Sequence, residues 1–179
     1  MADIRPFLCI RPAEGKAAAI AALPYDVYNR REAKAETEKN PDSFLKIDRA
    51  ETQFDDSVDT YDECVYKKAH DILWGMVSNG DFIREEKPCY YIYELTMEGR
   101  VQTGLVACAS IDNYETGVIK KHENTRAEKE ADRIRHVDAC SAQTGPIFLA
   151  YRANAVIREV VGRVKEGVAL YDFTSEDHI

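Results

Sequence analysis

The chain has 179 residues, 45% of them hydrophobic and 31% charged, which is enough apolar material to bury a core and excludes a wholly disordered chain. Its 24 Lys and Arg against 32 Asp and Glu leave a net charge of −8, which disfavours general binding to nucleic acid or to anionic membranes. The longest stretch without a charged residue, 139–151, has 13 residues and is too short to span a bilayer, and the apolar patch at 17–22 is no secretory signal.

In chain order, residues 4–10 (IRPFLCI) are expected to form a strand, at an edge or entering a sheet because of Pro6. The Ala-rich stretch between Pro12 and Pro24 predicts one or two helical turns. Pro24-Tyr25-Asp26-Val27 reads as an extended turn, and Asn29 as the cap of a helix over 30–39 that Asn40-Pro41 stops. Residues 43–48 are a strand candidate, and the acidic 51–59 a solvated loop. The clearest helix covers 58–77, where Val58, Tyr61, Val65, Ala69, Ile72, Leu73 and Met76 recur every three or four positions, with Gly80 at the expected C-cap. Residues 88–95 and 101–111 read as a β-hairpin around Glu98-Gly99. A further helix is predicted from Thr125 to about Ala139, with Glu128 completing a capping box. Residues 146–151 are a buried-strand candidate, 154–164 a helix and 168–173 a final strand. Strands and helices mix without a βαβ rhythm, so the expected fold is a single α+β domain with antiparallel pairs.

Five cysteines, at 9, 64, 89, 108 and 140, contain no CxxC pair; free thiols in a reducing cytosol, and hence a cytoplasmic protein, are expected. The zinc-protease spacing after His122 fails, because Arg126 stands where the second histidine is needed. No P-loop, dinucleotide-binding loop or nucleophile elbow is present.

The densest polar cluster is Lys120-Lys121-His122-Glu123-Asn124-Thr125, continuing through Lys129, Asp132 and Arg133. On the helix that follows, Thr125, Lys129, Asp132 and His136 share a face, with Ala127, Ala131, Ile134 and Val137 broadly opposite. A helix N-terminus offers unpaired N–H groups and partial positive charge, a ready anion site. Thr125 can cap it or donate to a phosphate, the lysines can neutralise charge, and Glu123 can hold Mg²⁺ or accept a proton. The bland reading of the same residues is a capped, solvated amphipathic helix. Asp26, after the Pro24 turn, is a second candidate: it can bond its own backbone, or take a proton from a substrate hydroxyl.

Three segments carry a resemblance: PYDVYNRREAKAETEKNPDSFLKI at 24–47, KKHENTRAEKEADRIRHVDA at 120–139 and GPIFLAY at 145–151. Their PYDV, NPxxF, HExT, K-x-x-DR and PIF motifs, in that order, are similar to those of the bacterial domain-of-unknown-function 1015 family, described as related to free-serine kinases. The resemblance implies a ParB/sulfiredoxin-like fold and a longer architecture of which this chain is the N-terminal part. It implies a kinase that transfers phosphate from ATP or another nucleotide, with Mg²⁺, to the hydroxyl of a small molecule such as L-serine. The nucleotide phosphates would lie at the HENT segment, met by His122, Asn124, Thr125, Lys129, Asp132 and Arg133. Asp26 or Glu123 would serve as base, and Glu123 would meet the metal. Gln143-Thr144-Gly145 departs from the Asn-containing pattern expected before the PIF segment. The alternative is a non-catalytic nucleotide-binding regulatory module of ParB-like type. No nucleic acid or membrane partner is expected.

Overall fold

A computed structural model describes residues 2–121 and 125–175. The elements are short strands and helices in mixed order, an α+β arrangement. They are β1 (Ile4–Arg5), β2 (Ile10–Pro12), α1 (Ala17–Ile20), α2 (Arg30–Lys39), α3 (Leu45–Asp48), a 3-10 turn (Ala50–Gln53), α4 (Glu63–Asn79), β3 (Phe82–Arg84), β4 (Tyr91–Met97), β5 (Arg100–Val106), β6 (Cys108–Ala109), α5 (Ile111–Glu115), α6 (Ala127–Cys140) and α7 (Ala155–Lys165). They fall into two compact units. The first takes the described residues of Met1–Arg11, Arg84–Asn124 and Tyr151–Ala169; the second takes those of Pro12–Ile83, Thr125–Ala150 and Leu170–Ile179.

In the first unit, β4 and β5 pair antiparallel with Tyr91 opposite Val106 and Met97 opposite Arg100. Their two-residue loop has positive φ at both positions, Glu98 at 51° and Gly99 at 75°. That backbone matches the right-handed twist of the flanking strands, which is why the hairpin turns there. β1 pairs with β6 through Ile4 opposite Ala109 and Arg5 opposite Cys108, and Phe7 bridges Cys89. The expected strand at 4–10 is therefore broken into β1, that bridge and β2. Ile111 opens α5 instead of extending the second hairpin strand. α7 begins where Asn154 accepts from the N–H groups of Val156 and Ile157.

The second unit holds every buried hydrophobic side chain among the described residues, including Ile20, Leu45, Ile47, Val65, Leu73, Phe82 and Cys140. α2 spans the predicted 30–39 because Asn29 and Glu32 close a reciprocal capping box. Asn29→Ala should cost about 1 kcal/mol in chemical denaturation; an unchanged midpoint would show that the box contributes nothing. α4 starts at Glu63 instead of Val58, since the Asp62 carboxylate accepts from the Cys64 N–H at 2.9 Å and makes the cap there. Gly80 ends it in the left-handed region at φ 82°, as the sequence predicts.

Further expectations fail. Residues 43–48 form one helical turn, α3, and not a strand: Leu45 and Ile47 are both buried because α2, α4 and the 3-10 turn surround that turn. The 51–59 stretch is not wholly solvated, since Glu51 and Thr52 are buried in the 3-10 turn. Residues 146–151 and 168–173 form no strand, and all of them but the half-buried Tyr171 lie exposed, Phe148 at 76%. The helix after Thr125 begins at Ala127 with Arg126 at the cap position and no side-chain cap, so the Thr125 capping box is absent. Among the described residues, no helix is long and apolar enough to cross a membrane. All five cysteines are free.

Candidate functional site

α6 lies against α4 in the second unit, and this contact reverses the face expected to meet solvent. Asp132 (8% exposed), His136 (3%) and Cys140 are the buried residues, four apart along the helix, whereas Ile134 is 56% exposed. A buried polar side chain must find partners or cost stability, and each finds one. Tyr66 Oη from α4 donates to Asp132 Oδ1 at 2.9 Å. Arg133 Nε and Nη2 donate to Asp132 Oδ2 at 3.1 and 2.9 Å. Trp74 Nε1 donates to the Cys140 carbonyl at 2.9 Å, fixing the far end of α6.

Asp48, the last residue of α3, sits beneath this stripe. Its Oδ1 lies 3.9 Å from Arg133 Nη1 and 3.7 Å from His136 Nε2. Burial pushes the Asp48 carboxyl up to about 6, with Arg133 and a hydrogen bond from Thr144 opposing it. Burial also pushes His136 down to about 4, helped by the Arg133 charge and opposed by Asp132. His136 is therefore neutral near pH 7, and its approach to Asp48 is a polar contact and not an ion pair. The Cys140 thiol, 3.7 Å from His136 Nε2, is driven up to about 11 by burial and the Asp48 charge, so it is protonated and a poor nucleophile at neutral pH.

On the outer side of α6 runs an open groove of about 410 Å³. Lys129, Arg133 and Val137 follow one line of the helix and Glu130, Ile134 and Asp138 the next, with Thr125 just before the helix and Tyr25 and Gln143 completing the lining. The Arg133 guanidinium stands 4.4 Å from the centre of the Tyr25 ring, a cation–π contact. The Tyr25 loop is pinned from its other side. Arg49 Nη1 donates to the carbonyls of Tyr25 at 2.9 Å and Tyr28 at 2.6 Å, while its Nε donates to Glu51 Oε1 at 2.6 Å.

The predicted site residues divide accordingly. Thr125, Lys129 and Arg133 line the groove, although Thr125 does so without capping α6. Asp132 lies behind the groove, holding Arg133. Asp26 is exposed next to Tyr25 and does not line the groove. His122, Glu123 and Asn124 lie outside the described residues. Lys121 belongs to the first unit, over the Tyr114 ring at 5.0 Å. Sequence reasoning missed Tyr25, Tyr66 and Asp48. The four-residue spacing of Asp132, His136 and Cys140 marked a face, but nothing local marked it as the inward one. Among the described residues no group of three or more His, Cys, Asp or Glu side chains is placed to hold a metal ion.

The chain belongs to the family described as Protein of unknown function (DUF1015), whose model matches residues 4–179. No curated protein and no solved structure matches it.

Proposed function

We propose that this DUF1015 protein is a nucleotide-dependent small-molecule kinase on a ParB/sulfiredoxin-like fold, with ATP as donor and the hydroxyl of free L-serine as acceptor. The observation that supports this reading is the groove. It gathers Tyr25 from the first motif segment and Thr125, Lys129 and Arg133 from the second around one open space. Lys129 offers positive charge to phosphates, and the Thr125 hydroxyl and the N–H groups at the start of α6 offer donors.

Phosphoryl transfer asks of a protein mainly alignment and charge neutralisation. The serine Oγ would bond to the γ-phosphorus as the bond to the β-bridging oxygen breaks, releasing ADP. The hydroxyl proton would pass to Asp26 or Glu123. Mg²⁺ on nucleotide phosphates needs only one or two protein carboxylates. Glu130, which lines the groove, could supply one such carboxylate, while Glu123 of the motif lies outside the described residues. Bound there, Mg²⁺ would neutralise charge on the phosphates. A −8 chain suits a small-molecule partner better than a nucleic acid.

Isothermal titration with ATP and Mg²⁺ tests the reading. Lys129→Ala should weaken binding about ten- to a hundredfold, the effect of one charge-assisted contact. Thr125→Ala should weaken it less, and the wild type should form O-phosphoserine. Absence of heat with ATP, ADP and CTP alike would sink the proposal. A second reading, a nucleotide-binding regulatory module without turnover, draws on the position of Asp26, exposed and away from the groove lining. ATP binding with no O-phosphoserine, and no effect of Asp26→Asn or Glu123→Gln, would favour it.

A further inference from the structure

We propose that Asp48 is a positioning residue of the groove: it shares Arg133 with Asp132 from beneath, and the proton it takes up when an anion binds couples the groove's affinity for phosphate-bearing ligands to pH. The inference rests on reading the groove as a phosphate site and adds how that site is regulated.

Among the described residues, Arg133 alone both lines the groove and touches the buried network. Its Nε and Nη2 are engaged on Asp132, its ring-facing side on Tyr25, and its Nη1 is turned toward Asp48 at 3.9 Å. With Asp48 ionised, one guanidinium answers two carboxylates and little positive potential is left for the groove. With Asp48 protonated, Arg133 answers Asp132 alone, and an anion in the groove meets a full additional positive charge. An anion bound beside Arg133 in turn makes a negative Asp48 more costly. Linkage requires these effects to be equal, so anion binding takes up a proton and tightens as pH falls.

The groups around Asp48 whose proton affinity is displaced lie outside its range. α6 contributes Arg133, His136 and Cys140; the segment after α6 contributes the Thr144 hydroxyl. Of the elements packed against α3, α4 carries Tyr66, engaged on Asp132, and the 3-10 turn carries Glu51, engaged on Arg49. His136 stays neutral down to about 4, Cys140 stays protonated up to about 11, and Tyr66 is raised to about 12 by burial and its bond to Asp132. Asp48, at about 6, changes charge within the physiological range.

The test compares ATP binding by wild type and Asp48→Asn at about pH 5 and about pH 7.5. Protonation of ATP itself is common to both proteins and cancels in their ratio. At the higher pH the variant should bind about tenfold tighter than wild type, as expected for removing one charge near the site; at the lower pH the two should converge. A merely structural role would weaken the variant at both pH values, and that result, or equal affinities throughout, overturns the proposal. Should the variant not fold, competition by sulfate, which stays a dianion across this range, is measured on the wild type. Sulfate affinity that does not rise on acidification overturns it as well. ATP failing to bind wild type at any pH would overturn the nucleotide reading itself, a different result from binding that ignores pH.

Discussion

Arg49→Met should destabilise the protein by about 3–5 kcal/mol, the cost of leaving one member of a buried pair without the other. Glu51, its partner at 2.6 Å, is only 2% exposed, so the remaining carboxylate has no water to turn to. The same change removes one donor from each of the Tyr25 and Tyr28 carbonyls, so the loop that carries Tyr25 loosens as well. Against a total stability of typically about 5–15 kcal/mol, this is a large fraction. Urea denaturation reads the effect directly. Adding Glu51→Gln should recover part of the loss, because the uncompensated charge is then gone; a double-mutant cycle measures that recovery. A single variant within 1 kcal/mol of wild type would show that the pair is not the loop's anchor.

The pH dependence of stability should separate into two opposing halves. His136 has its proton affinity lowered on folding, from 6.5 to about 4, chiefly by burial. Between those values the unfolded chain binds the proton and the folded one does not, so this group favours folding less as pH falls. Asp48 is raised from 3.8 to about 6, also chiefly by burial. There the folded chain holds the proton, so this group favours folding more as pH falls. Each displacement is linked to as much as about 3 kcal/mol, and the windows overlap between about 4 and 6, so the wild type should show little net slope there. Asp48→Asn leaves His136 acting alone: stability should drop by roughly 2 kcal/mol from about pH 6.5 to 4. His136→Gln leaves Asp48 acting alone, and stability should rise over the same range. Parallel denaturation curves for all three proteins across that window would refute the assignment of both groups.

What was legible in the sequence is what local chemistry decides. The Asn29 cap, the Gly80 cap and the Glu98-Gly99 turn all act within a few residues of themselves, and the elements they bound are present, although α4 starts at Glu63 and the second hairpin strand stops at Val106. Residues 43–48 were misread because Leu45 and Ile47 alternate with Lys46 and Asp48, a strand-like pattern. Burial from several sides at once produces the same alternation in a single helical turn. The candidate site was half legible. Thr125, Lys129 and Arg133 were found because charge and helical spacing put them together. Asp132 and His136 were assigned to solvent because polar side chains usually go there, whereas Tyr66, 66 positions away, and Asp48 supply partners that no local pattern announces. The 146–151 segment shows the converse: its apolar character suggested burial, and no strand is there to pair with it.

The division into units has a consequence for how the chain reaches its folded state. Each unit is assembled from three stretches that alternate with those of the other. As the polypeptide leaves the ribosome, α4 emerges long before α6, and the intervening stretch belongs to the other unit. The side of α4 that meets α6 must therefore wait for its cover. Such high contact order slows folding and lengthens the time that apolar surface is open to association with other chains. It also bears on dissection of the gene: a cut anywhere between Pro12 and Ala169 divides both units at once. Only a chain with its stretches re-joined in a new order would yield either of them whole.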